Sequence, residues 1–374
     1  MKKFSLSLVL FSLLSIVAIG QSDSKSLDII KILKKNRSKA YVNDYCSNFE
    51  FICLETSNEC LIDIPVQLEI DKEQIYVRDR TRSIFIFNRQ GEYISKILAK
   101  GKGPGEFVEI HQGFILFKDM DRICVYDEIQ RKILLFDTRG NFLKEAKVNI
   151  RAQAINRLGS NILLMFSDAI FDEPDYHKII YFDINEMKVV KTIKIQASTQ
   201  IIGAPMYSNP GFSTDNDEAL LKIPFCDTIF RINAEAHKPE YYYKLGKQGM
   251  PRHIYNDPDK LRESKLNYID ISIPLETKNY SFFQFIDHGK YLFSIYNKET
   301  AEWQLSETKD GPKTGLVFNN KSEVILRLYN CTPDSYLSIV QAHDFISYFS
   351  EDYPNLISNI QESDNPIFFI GQLK

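Results

Sequence analysis

KEQIYVRDRTRSIFIFNRQGEYISKI, residues 72–97, and DRICVYDEIQRKILLFDTRGNFLKEAKV, residues 121–148, are one pattern written twice. Ile75 of IYVRD answers Ile123 of ICVYD, and Phe87-Asn88 answers Phe136-Asp137, with AKGKGPGEF at 99–107 between the copies. Each copy is made of short alternating apolar segments broken by turn residues, Arg89-Gln90-Gly91 in the first and Thr138-Arg139-Gly140 in the second. Apolar residues at period two make half-buried strands, and a short Gly-containing turn between two such strands makes a hairpin. Short strands repeating every 40 to 50 residues or so are the sequence sign of β-propeller blades. The expected fold is all-β, a six-bladed β-propeller with four strands to a blade.

Working outward, blade one is expected at 65–97, blade two at 113–148 and a looser blade three at 152–195. Blade four shows three strands, at 219–223, 228–232 and 240–245. Blade five is expected at 281–286, 290–296, 302–305 and 314–318. The last unit offers 323–328, 336–340 and 366–373, one strand short, and FEFICL at 49–54 is the strand available to complete it. Such closure leaves no open sheet edge. Two stretches break the strand rhythm, one after Asp257-Pro258 and one after Pro354, and both are expected to be short helical insertions on the rim.

The ends and the composition set the compartment. MKKFSLSLVLFSLLSIVAIG has a basic start, an apolar run and small residues before Gln21, the pattern of a cleaved secretory signal. The domain scheme is a signal peptide at 1–20, a loosely attached lead-in at 21–45 and a propeller at 46–374, exported to the periplasm or cell surface. No lipid-anchoring cysteine follows the small residues, and no transmembrane helix is expected after cleavage. A formal charge of −3 leaves no basic excess for nucleic acid. The fold is expected to be monomeric. Six cysteines lack CxxC spacing, which argues against zinc. Cys53 and Cys124 read as buried thiols, and one bridge among Cys46, Cys53 and Cys60 stays open.

The GKGPGEF segment and the VxD…IxxFDxxGxF run resemble NHL-type repeats. The chain as a whole resembles a mostly uncharacterised family of exported six-bladed propellers from anaerobic gut bacteria. The residues carrying this are FICLETSNECL at 51–61, residues 75–97, GKGPGEF at 101–107, CDTIFRI at 226–232 and NPIFFIGQLK at 365–374. The resemblance implies a fold and a compartment but no activity. Many members resemble lipoproteins, from which Gln21 departs.

GKGPGEF lacks the Gly-Lys-Ser/Thr and following helix of a phosphate loop, so its glycines read as a connector between blades. Arg78, Arg80 and Arg82 fall in a turn on the same face as Lys100 and Lys102, a positive patch suited to an anionic sugar or carboxylate. Glu106 and His111 lie in the same connector, and Arg252 and His253 in a later one. The expected ligand-binding residues are Arg78, Arg82, Lys102, Glu106, His111, Arg252 and His253. Polar residues assigned to inner strands are Glu69, His111, Gln153, Asn156, Gln284 and Asp287, without the acidic set of a metal-dependent hydrolase. GxSxG and HExxH are absent. No cofactor and no metal are expected. The leading function is an exported binding module for a glycan, peptide or envelope protein. The alternative is a lactonase, hydrolase or glycan-lyase type of propeller enzyme.

Overall fold

The structure is a computed structural model that describes residues 25–98, 101–167, 176–196, 211–215, 218–223, 226–251, 254, 259–260, 263, 267–307, 314–319 and 321–374. The signal peptide expected at 1–20 lies outside these residues, as do Arg252, His253 and most of the helix expected after Pro258.

Six sheets of antiparallel strands, each running from an inner to an outer strand, form the blades. Blade one contains Pro65–Ile70, Gln74–Asp79, Ile84–Asn88 and Tyr93–Ile97; blade two contains Phe114–Phe117, Arg122–Asp127, Lys132–Asp137 and Phe142–Lys147. Blade three spans Ala154–Leu158 to Lys188–Gln196. The turns explain why the repeat is so exact. Asp79 and Asp127 end the second strands, and each accepts backbone hydrogen bonds from the turn that follows, Ser83 N–H to one and Ile129 and Gln130 N–H to the other. Each also accepts from the preceding connector, Asp63 N–H at 3.2 Å and Val108 N–H at 2.6 Å. Gly91 and Gly140 take φ of +87° and +83° in the matching hairpins, a backbone conformation that favours glycine.

Alternation along each strand sends side chains to both neighbouring blades. Ile75 and Val77 pack toward blade six, while Tyr76 between them packs toward blade two. Six apolar cores result, one at each interface between adjacent blades, including that between blade six and blade one. The ring is closed by Cys46–Cys53, which pairs antiparallel with Ile367–Leu373 as the outermost strand of blade six. The expected N-terminal closure is therefore present.

Four expectations need correction. The inner strand of blade six is Asn330–Thr332, whereas Ile325–Arg327 pairs with Gly315–Val317 in a separate two-stranded sheet. Blade five begins with Ile269–Ile271 and Leu275–Glu276, so the stretch at 314–318 is not its outer strand. The helix Pro354–Ile357 is present, but Ala342–Phe349 before it is also helical, and its Ala342, Phe345 and Phe349 face the core at helical spacing. The lead-in is not loose. Lys25–Asp28 adds a parallel fifth strand to blade four, and Ile29 and Ile32 are buried beside blade five. None of the six cysteines forms a disulfide, so no bridge joins Cys46, Cys53 and Cys60; Cys124 is fully buried as expected, whereas Cys53 is half-buried.

Candidate ligand-binding site

Two polar regions lie close to the axis. The first is the seam between blades one and two on the connector face, where three of the seven expected site residues fall: Arg78, Arg82 and His111. Arg82 stands at the tip of its turn with φ of +73° and donates to both oxygens of Glu109, its Nε at 2.7 Å from Oε1. His111 contacts Glu109 at 3.6 Å and pairs closely with Glu128. One donor atom each from Glu109, His111 and Glu128 lie within 4.8 Å of one another. Such a set can hold a cation only in competition with Arg82, which already neutralises Glu109. Arg78 lies behind this group with its Nε buried and without a hydrogen-bond partner, and burial lowers its pKa while Glu109 and Asp79 oppose that.

Lys102 and Glu106 do not join the seam. Glu106 folds back on its own loop and accepts from Gly103 N–H at 2.8 Å. A Cβ on Gly101 would meet that carboxylate at 2.1 Å, so a side chain there would push Glu106 out of this position. Gly101 N–H donates to Phe107 O, and Gly105 N–H to Glu145. Buried Lys132 ties the loop down by bonding Gly103 O and Glu145. Burial alone would raise the Glu145 carboxyl, but the Gly105 amide and Lys132 hold it below the ordinary range. The glycine amides therefore point at the protein's own acceptors and make no phosphate cradle. Lys102 is exposed at the loop tip.

The second region is the axial channel, a cavity of about 260 Å³ to which all six blades contribute. Its polar lining includes Glu69 from blade one, Lys118 at the end of the blade two inner strand, Asn156 and Arg157 from blade three, and Asn330 from blade six. Asn330 Nδ2 donates to Glu69 Oε1 at 2.8 Å and to Leu68 O at 3.0 Å. Burial pushes the Glu69 carboxyl above its usual range, and Lys118, Arg157, Gln67 and Asn330 pull it back. The side chains of Lys118 and Arg157 make no hydrogen bond or ion pair with any described residue. Two cations against a single carboxyl leave the described lining net positive whichever way Glu69 is protonated, which gives this cavity a pull on anions.

Glu69 and Asn156 were legible as inner-strand polar residues. Lys118 and Arg157 were not, because no local pattern sets them apart, and Asn330 was not, because the last inner strand was expected at 323–328. Among the described residues the histidines have separate surroundings: His177 lies tilted against Phe166, His237 packs against Phe230, and His288 pairs with Asp287.

The profile of the family described as "Domain of unknown function (DUF4934)" matches residues 26–372. Among solved structures, a Bacteroides fragilis protein described as a candidate exported protein aligns with a TM-score of 0.71 at 16% identity, covering 94% of this chain and 99% of that one. A DUF4221 family member from Bacteroides vulgatus aligns with a TM-score of 0.53 at 11% identity, covering 88% and 97%. At these identities the likeness concerns the fold. None of the curated proteins matches the sequence.

Proposed function

The chain belongs to the DUF4934 family, and we propose that it is an exported binding protein that takes a small anionic ligand in its axial channel. The observation that carries this reading is the pair of cations, Lys118 and Arg157, that line a cavity shared by six blades and make no ion pair with any described residue. Lys118 and Arg157 are half-buried, and the single Glu69 carboxyl beside them can answer only part of their combined charge. An incoming carboxylate, sulfate or phosphate supplies the missing partner, with Arg157 able to bind it in bidentate fashion. Export rests on the leader-like start of the sequence, and agrees with the description of the B. fragilis protein. A glycan or peptide meets the requirement where it bears an acidic group.

This places the ligand on the axis instead of the connector face. At the seam Arg82 is held by Glu109 and His111 by Glu128, and Arg82 occupies the carboxylate that a metal there would need. Titration of the full chain with sulfate, followed by calorimetry, tests the reading. Lys118→Met with Arg157→Met is expected to weaken binding tenfold or more, about 1.4 kcal/mol, while Arg82→Met leaves it unchanged. Equal affinity in wild type and the channel double variant overturns it.

A further inference from the structure

The channel does not end at its polar floor. It shares Val66, Leu275 and Tyr329 with an adjoining cavity of about 430 Å³ at the starts of the inner strands, where blades five, six and one meet. That second cavity is walled mainly by apolar side chains, Ile64, Ile273, Phe282 and Leu328, with Ser272 and Gln284 as polar neighbours. Ile64 and Val66 are 46% and 41% exposed there. Arg327 covers one rim by lying over the Tyr329 ring at 5.1 Å. Apolar side chains left open beside a cationic floor are suited to a ligand that is itself divided the same way.

We infer that the ligand is a small amphiphilic acid, with its anionic group on Lys118 and Arg157 and its apolar body in the slot between blades five, six and one. This rests on the channel being the anion site proposed above. The inner strand Pro65–Ile70 runs from slot to floor, and the three residues from Val66 to Glu69 rise about 10 Å at roughly 3.3 Å each. A straight chain of about eight carbons spans that distance. Each methylene removed from water adds roughly three- to fourfold in affinity, so the slot discriminates strongly by length. Charge selects the acid over its neutral analogue, and the slot selects the longer acid over the shorter.

Calorimetry of the full chain with acetate, octanoate and octanamide separates these elements. Octanoate is expected to bind at least about 30-fold more tightly than acetate and about tenfold more tightly than octanamide. Arg157→Met should close the gap between octanoate and octanamide. Val66→Ser, at an exposed position, should narrow the gap between octanoate and acetate without changing acetate. Equal binding of acetate and octanoate, both lost in Lys118→Met with Arg157→Met, overturns the amphiphile and leaves the anion site standing. Equal binding of octanoate and octanamide, or binding of none of the three, overturns both.

Discussion

The seam between blades one and two and the axial channel are both rich in charge, but they use it differently. At the seam Arg82 is held by Glu109 and His111 by Glu128, each charge answering another from the next turn or connector. In the channel Lys118 and Arg157 are brought together by ring closure from separate blades, with Glu69 the nearby acid and no ion pair formed. Groups that satisfy one another fasten blade to blade. Groups left unsatisfied in a cavity have affinity to give to something else. The comparison teaches that density of charge along a sequence marks local stapling, whereas a binding site can be assembled from single residues a blade apart.

The sharpest way to break this contrast is at Glu109. Its carboxylate is buried and answers Arg82, so Glu109→Ala leaves that guanidinium and Arg78 without their common partner. Because Arg82 is partly exposed, the expected loss is about 2–3 kcal/mol, read as a lower midpoint in urea, with sulfate affinity retained by the folded fraction. The channel cations behave oppositely. Lys118→Met and Arg157→Met should cost binding but no more than about 0.5 kcal/mol of stability, measured in the same urea series. A seam variant that loses sulfate affinity, or a channel variant that unfolds early, would erase the distinction.

The smallest effect concerns pH. Glu69 has its pKa raised by burial, so its neutral form is favoured in the fold, with Lys118, Arg157, Gln67 and Asn330 facing it. The sign follows from linkage: the stability that Glu69 contributes is fully present below the ordinary carboxylate pKa and is lost as pH rises through the raised value. Protonation also removes the negative charge beside the two cations. Sulfate, which stays ionised throughout, should therefore bind more tightly as pH falls through that value. Glu69→Gln keeps an acceptor for Asn330 and should flatten the pH profile while raising affinity at pH values above that at which Glu69 ionises. An unchanged profile in Glu69→Gln would assign the pH dependence to another group.

Much of the fold was legible because each repeat fixes its own turns. Asp79 and Asp127, with Gly91 and Gly140, mark the same two hairpins in blades one and two, and the strand assignments there agree with the structure. Legibility failed where a strand is short or its partner distant. Asn330–Thr332 has three residues, too few for a period-two pattern, while the more apolar segments at 314–318 and 323–328 drew the assignment to themselves. Those segments instead pack with the helix Ala342–Phe349 and with Phe49 and Phe51 of the closing strand. The connector patch was legible as charge but not as pairing, since Glu109 and Glu128 were needed to see that Arg82 and His111 are already engaged. Lys118 and Arg157 carry no local motif. Their meaning comes from the axis, which exists only once six blades have closed.

The claim that the ligand lies on that axis is most directly tested by a crystal structure of the full chain soaked with 4-bromobenzoate, using the bromine's anomalous signal. The account predicts one strong bromine peak in the slot beside Val66, Leu275 and Tyr329, with the carboxylate within hydrogen-bonding distance of Lys118 or Arg157. A peak at Arg82 and His111 with an empty channel would contradict it.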